Sequence, residues 1–386
     1  MTEKTKATYH KRTLAAQAMG KIDAATMGIV PPIHITTTFI RDDDNGYSTG
    51  NIYGRPDNIT VREAETIIAM LEGAPQALVF GSGMASAIAC FLALAPGDHV
   101  VAPKVMYWAL RNWLLTEGKH WGLIIEFVDM ADLAEVKTAM RPGKTKLVWA
   151  ETPANPLWSI TDIEAVAAIA HAAGARLAVD STCATPVLSQ PLALGADIVM
   201  HAATKYLNGH SDVLAGALAC REPDAYWDRI KMVRKNVGAI LGPFEAFLLI
   251  RGMRTLHLRV HAACDNAMQL AQKFAAHPLI NEVLYPGLAT TPGHAVAKRQ
   301  MAGGFGGMLS IRVKGGEAGA IRVAKEVGLW KRATSLGGVE SLIEHRASIE
   351  GAGSPCPTDL LRLSAGIEDG ADLFADLDQA LKRAHN

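Results

Sequence analysis

The chain has 386 residues, 49% of them hydrophobic, which is ample material for one large core and a smaller companion domain. Its 38 basic and 38 acidic residues cancel, so charge gives no reason to expect nucleic acid or an anionic membrane as partner. No apolar run reaches spanning length, the polar opening MTEKTKATYHKRT is unlike a secretory leader, and the five scattered cysteines (Cys90, Cys183, Cys220, Cys264, Cys356) form no C-x-x-C pair, so reduced thiols in a cytoplasmic protein are expected.

Residues 1 to 50 show little helical periodicity and carry PP, TTT and RDDDNGYSTGN, the composition of an extended arm. In an oligomer such an arm can reach across to another subunit. TVREAETIIAMLEG then predicts a helix, with Thr60 and Glu63 as a capping box and Gly73 as its stop. From residue 77 short apolar runs alternate with helical ones: ALVF, SGMASAIACFLALA, DHVVAP, VMYWALRNWLLTEG, LIIEFVD, LAEVKTAM, KLVWAET, ITDIEAVAAIAHAAG, RLAVDST and ADIVMHAATK. That alternation predicts a doubly wound α/β layer sandwich with a parallel sheet. After AGALACR a long helical stretch, GPFEAFLLIRGMRTLHLRVHAACDNAMQLAQKFAAH, is expected to lead out of this domain. INEVLYPG, GGMLSIRVKG, GAIRVAKEVGLW, LLRLSAGIE and LFADLDQALKRA then read as a smaller α+β domain.

Two places carry chemistry. The turn GSGMASA follows a strand and opens a helix, where backbone N–H groups and the positive helix end favour an anion; it also fits a plain tight turn, and it lacks the G-x-G-x-x-G spacing of a dinucleotide site. The runs RLAV and ADIVMHAA lead to Asp180 and to Thr204-Lys205, placing a carboxylate and an amine at carboxyl ends of strands, where open α/β sheets bind ligands. A carboxylate under a pyridine nitrogen keeps that ring an electron sink, and a lysine can hold an aldehyde as a Schiff base, so one aromatic cofactor accounts for both residues.

The sequence resembles the pyridoxal-phosphate enzymes of Cys/Met metabolism, the group that holds cystathionine γ-synthase, cystathionine γ-lyase, cystathionine β-lyase and methionine γ-lyase. The resemblance covers roughly residues 30 to 382 through IYGR, GSGMASA, VMYWALR, ETPANP, AVDSTCATP, ATKYLNGHSD, GPFEAFLLIRGMRTLHLR, SLGGVESLIEH and LLRLSAGIED, in the family's order. It implies the fold type I (aspartate aminotransferase-like) PLP-dependent transferase fold: a mostly parallel sheet sandwiched by helices, plus a smaller C-terminal α+β domain. The expected partition is 1–50 as an arm contacting a neighbouring subunit, 51–240 as the PLP-binding domain and 241–386 as the C-terminal domain. By resemblance Lys205 binds the cofactor covalently and acts as base, and Asp180 partners the pyridine nitrogen. Ser82, Gly83, Met84 and Thr204 hold the phosphate, and Tyr53 and Arg55 reach a neighbouring subunit's phosphate. Tyr107 stacks on the ring and is the candidate acid. Asn155 lies near the ring's phenolic oxygen, and Arg362 clamps the substrate α-carboxylate, with Ser335, Asn155 and Tyr53 beside the substrate.

Several positions depart from the family's pattern. Ala202 stands where a serine is frequent, Trp108, Ala109 and Leu110 replace small residues after Tyr107, Ser181 replaces Asn, and Thr334 stands where an acidic residue is frequent. Arg346 to Gly351, RASIEG, replace the familiar P-A-S-M-T-H. These changes bear on the substrate and leave Lys205, Asp180 and Arg362 in place. The resemblance thus implies γ-elimination or γ-replacement on a sulfur-containing or O-acyl-homoserine-type amino acid in a cytoplasmic homotetramer, a dimer of dimers. Its alternatives are C–S lysis of the cystathionine β-lyase or methionine γ-lyase type, or a PLP-binding protein without catalysis. A nicotinamide oxidoreductase lacks its glycine fingerprint.

Overall fold

A computed structural model describes residues 9–351 and 353–386, so residues 1–8 of the expected arm lie outside the described residues. The chain divides into two compact units, Met1–Ala93 with Met200–His257 and Leu94–Val199 with Leu258–Asn386.

In the first unit the helix Ile59–Glu72 buries Val61, Ala64, Ile67, Ile68 and Leu71 along one stripe and ends on Gly73, at φ +70°. Its cap is Asn58, two residues earlier than expected: the side-chain Oδ1 of Asn58 accepts from the N–H groups of Thr60 (2.9 Å) and Val61 (3.3 Å). The capping box therefore does not form, and the Thr60 hydroxyl instead accepts from His34 N–H at 3.0 Å, tying the preceding segment to the helix. The strand Gln76–Phe80 follows and pairs antiparallel with Gly216–Cys220, Phe80 opposite Gly216. Arg234, on the helix Ala225–Val237, is buried and donates to Glu65 Oε1 and to the carbonyls of Val79 and Pro56, joining helix, strand and the segment before Asn58. The long helical stretch expected from residue 242 is two helices, Pro243–Met253 and Leu256–Ala275.

In the second unit the strands Ile124–Val128, His99–Pro103, Thr145–Glu151 and Arg176–Asp180 lie side by side in that order, all parallel. Val101, Val148, Leu177 and Val179 are buried with Ile163 and Val166 of the helix Ile163–Ala172, as near-continuous apolar strands of a covered parallel sheet require. A five-stranded sheet runs in the order Lys331–Arg332, Leu342–His345, Leu360–Ser364, Met308–Val313, Ile280–Leu284, antiparallel but for its first pair. The helices Gly316–Glu326 and Gly370–His385 cover it. Trp158 and Pro156, in the segment after the strand Thr145–Glu151, are tied to the five-stranded sheet: the Trp158 indole N–H donates to Ser310 Oγ at 2.8 Å, and that hydroxyl donates to Pro156 O at 2.8 Å. The alternation of strand and helix thus builds the α/β fold with a mostly parallel sheet. No helix among the described residues is long and apolar enough to cross a membrane, and all five cysteines are free and buried.

Candidate active site

The lysine lies in the first unit. The strand Ile198–His201 ends four residues before it, so Lys205 is not itself a strand end but part of the turn that follows: its N–H donates to Ala202 O at 3.0 Å, and its carbonyl accepts from Gly209 N–H at 2.7 Å. The apolar run ADIVMHAA outlasts the strand, because Ala202 and Ala203 are apolar but lie beyond the last ladder residue. Thr204 donates from Oγ1 to Ala215 O (3.1 Å) and accepts from Ala215 N–H (2.9 Å), so its hydroxyl proton is committed to the backbone in this structure.

The turn after Phe80 starts the helix Gly83–Leu92, capped by Ser82, whose Oγ accepts from Ala85 N–H at 3.1 Å. The N–H groups of Gly83 and Met84, the first two of the helix, have no partner among the described residues. Positions 83 and 216 beside this turn have no room for a side chain. A Cβ on Gly83 would lie 2.7 Å from the Cβ of Ala202, and one on Gly216 would lie 2.1 Å from Ser82 O. Ala202, the departure from serine, is thus packed directly against the turn. Tyr53 and Arg55 are exposed, with the guanidinium 5.8 Å from the Tyr53 ring centroid. Their segment is fastened to 37–38 through the Thr38–Tyr53 bridge and the Gly54 N–H bond to Thr37 O at 2.8 Å.

The second unit carries the aspartate and the arginine. Asp180 ends the strand Arg176–Asp180, buried, its Oδ1 accepting from Thr182 N–H at 3.0 Å and Thr182 Oγ1 at 2.6 Å. Opposite it in the parallel ladder is Glu151. One oxygen of Glu151 accepts from Tyr107 N–H (2.7 Å) and the other from Asn155 N–H (2.9 Å). This one carboxyl therefore fixes the backbone of two predicted site residues and neighbours a third. Burial, then the negative charge of Asp180, push it up to about 8. Tyr107 precedes the helix Trp108–Trp113 and is 43% exposed, leaving its ring accessible. Leu110 is buried, and Trp108 stacks with Arg111 at 5.4 Å.

Arg362 lies in the strand Leu360–Ser364, buried, with three acceptors: Asn155 Oδ1 at 3.2 Å, Ser335 O at 2.8 Å and Glu344 Oε2 at 2.6 Å. Asn155, Ser335 and Arg362 are thereby brought together as expected, Ser335 through its carbonyl. Ser335 has φ +94°, a conformation that non-glycine residues keep only where the surroundings hold it. Burial pushes the Arg362 guanidinium down to about 10, with Glu344 opposing that shift. Three acceptors take three of its five N–H groups, so donors remain for a carboxylate.

Sequence reasoning missed Glu151, although it stands inside ETPANP, and missed the role of Glu344 within SLIEH. Alternation along a strand would have flagged both as charges in apolar runs. It also left Arg346 and Glu350 as an unexplained departure. All are buried, and Arg346 donates to Glu344 Oε2 at 3.0 Å and to Glu350 Oε1 at 2.7 and 3.1 Å.

The profile of the family described as "Cys/Met metabolism PLP-dependent enzyme" matches residues 12–382. Among relatives, a cystathionine gamma-synthase of Mycobacterium tuberculosis is 43% identical over 96% of this chain and 96% of its own length. A cystathionine gamma-lyase of Dictyostelium discoideum is 40% identical over 97% and 98%. A crystal structure of metB from Corynebacterium glutamicum superposes with a TM-score of 0.94 at 41% identity, covering 98% of this chain and 99% of that one. Fold and site therefore define a PLP-dependent enzyme of fold type I. The chain belongs to the Cys/Met metabolism family of these enzymes, and its cofactor is pyridoxal 5'-phosphate.

The residues present fit that group. The helix start at Gly83 and Met84 offers N–H donors without a partner among the described residues, where position 83 has no room for a Cβ, as close approach of a phosphate requires. Asp180 is a buried carboxylate at a strand end, held in place by Thr182, as a protonated ring nitrogen requires.

Proposed function

We propose that this enzyme catalyses γ-replacement or γ-elimination on a sulfur-containing or O-acyl-homoserine-type amino acid. The observation that carries the reading is the retention of Lys205, Asp180 and Arg362 in a chain whose full-length relatives bear the names cystathionine gamma-synthase, cystathionine gamma-lyase and L-methionine gamma-lyase. When bound, pyridoxal phosphate supplies a sink for the electron pair left when a proton leaves the carbon bearing the substrate amine. Lys205 would hold the cofactor through its Nζ and, as a free amine, would take that α-proton and then move a proton at the β-carbon. Asp180 keeps the ring nitrogen protonated. Tyr107 donates a proton to the leaving group from its accessible hydroxyl. Arg362, with Asn155 and Ser335 around it, binds the α-carboxylate through charge-assisted hydrogen bonds from its remaining N–H groups.

Ser82, Gly83 and Met84 hold the phosphate in this reading, with Thr204 beside them once its hydroxyl turns from Ala215. Tyr53 and Arg55 serve the phosphate of a neighbouring subunit, and Tyr53 the substrate there, so the working unit is at least a dimer within a cytoplasmic dimer of dimers. A β-lyase reading stands second, because a cystathionine beta-lyase of Coxiella burnetii is 38% identical over 99% of this chain.

A panel of cystathionine, homocysteine, methionine, O-acetylhomoserine and O-succinylhomoserine, each with and without cysteine, tests this by mass spectrometry of the products. Cystathionine formed from an acylhomoserine and cysteine, or a four-carbon 2-oxo acid released from any member of the panel, supports γ chemistry. Pyruvate and homocysteine from cystathionine alone would establish β chemistry instead.

A further inference from the structure

Arg362 and Glu344 face each other across antiparallel strands, in register, and are joined at 2.6 Å. Such a pair is a poor receptor for a carboxylate. Glu344 already supplies the negative charge that Arg362 would otherwise seek, and it repels a second one in the same buried place. The structure holds a counterweight. Arg346, at the start of the helix Arg346–Glu350, donates at 3.0 Å to the same oxygen, Glu344 Oε2. Arg346 is itself tied by Nε and Nη2 to Glu350 Oε1, and Glu350 accepts from the Ser354 hydroxyl. The four side chains form an alternating line, Arg362, Glu344, Arg346, Glu350, each at most 7% exposed. Arg346 and Glu350 fall within RASIEG, the segment that differs from the P-A-S-M-T-H expected by resemblance.

We propose that Arg346, held by Glu350, is a positioning residue for substrate binding: by sharing Glu344 it withdraws negative charge from Arg362 and leaves that guanidinium free to take the substrate α-carboxylate. The inference rests on the reading of Arg362 as the carboxylate clamp. It makes carboxylate affinity depend on two residues that reach the substrate only through Glu344. Glu350 sets the limit of the effect, since it neutralises Arg346 and lets it stay buried. A two-donor tie fixes the guanidinium plane, which a lysine ammonium cannot reproduce.

The test uses holoenzyme and two probes without a leaving group, glycine and glycinamide, titrated by calorimetry and by the change in cofactor absorption. Replacing both charges, Arg346→Met with Glu350→Met, avoids stranding either one in the interior. The expected result is glycine affinity weaker by about tenfold, the scale of coupling inside one ion-pair network, with glycinamide affinity unchanged. In the Arg362→Ala background the same double substitution is expected to change neither probe. Unchanged glycine affinity, equal losses for both probes, or a loss that persists without Arg362 would overturn the proposal. Failure of the underlying reading looks different: Arg362→Ala alone would then leave glycine and glycinamide binding as in the parent enzyme. Should the double variant not fold, Arg346→Lys decides the matter, with an intermediate loss for glycine only expected and no loss overturning the idea.

Discussion

Glu151 combines a negative neighbour, burial and two backbone donors. The donors favour its ionised form, and burial and Asp180 oppose it and prevail, holding the carboxyl near 8 against about 4.5 in a solvated glutamate. Between those values the native apoprotein keeps a proton that the unfolded chain has released. Glu151 therefore contributes stability that is lost as pH rises through this window, with no further loss above about pH 8. Glu151→Gln removes the titration. The amide still accepts one N–H but turns its NH2 toward the other, costing about 1–3 kcal/mol. In urea unfolding of apoprotein the variant is thus expected to be less stable than the parent near pH 5.5, with the gap narrowing toward pH 7.5. A gap independent of pH would contradict the raised carboxyl. At this scale the sequence made Asp180 legible, since it ends an apolar run, and Lys205 legible by its motif. Glu151 and Glu344 were hidden because a lone charge in a strand acquires meaning only when its cross-strand neighbour is known, and those neighbours, Asp180 and Arg362, lie 29 and 18 residues away.

Among elements, the decisive contact is the strand Gly216–Cys220 against the turn at Ser82. Gly216 approaches so closely that a Cβ would lie 2.1 Å from Ser82 O and 2.5 Å from Ser86 Oγ, so any side chain must displace the turn whose N–H groups are suited to the phosphate. Gly216→Ala is expected to destabilise by about 1–3 kcal/mol, as overpacking does, and to release cofactor during gel filtration, read as lost visible absorption per chain. Full cofactor content with an unchanged Tm would contradict this placement. The alternation of apolar strand and amphipathic helix was readable because its periods differ, 2 against 3.6. The helix start was read two residues late because Thr60 and Asn58 are both good caps, and only the bond from His34 N–H shows Thr60 to be occupied elsewhere. The sequence places the strand end at Thr204-Lys205 and not at His201 for want of any polar residue between His201 and Thr204 to mark the end of the ladder.

For the whole molecule, the segment between residues 21 and 53 has no helix or extended strand and bears large apolar side chains to solvent, among them Ile35 at 76% and Ile40 at 96% exposure. Apolar surface of this kind is costly to leave in water and marks a contact surface. If this arm covers a second copy, as the roles proposed for Tyr53 and Arg55 require, then Ile35→Asp with Ile40→Asp shifts sedimentation toward monomer and lowers activity with it. A fully active wild-type monomer would refute the assembly. The central claim, that this chain binds pyridoxal phosphate covalently at Lys205, is tested most directly by borohydride reduction of the holoenzyme followed by peptide mass spectrometry. The predicted result is a pyridoxyl-phosphate mass on the peptide containing Lys205, and no such label in Lys205→Ala; a label on another lysine, or none in the wild-type chain, would contradict it.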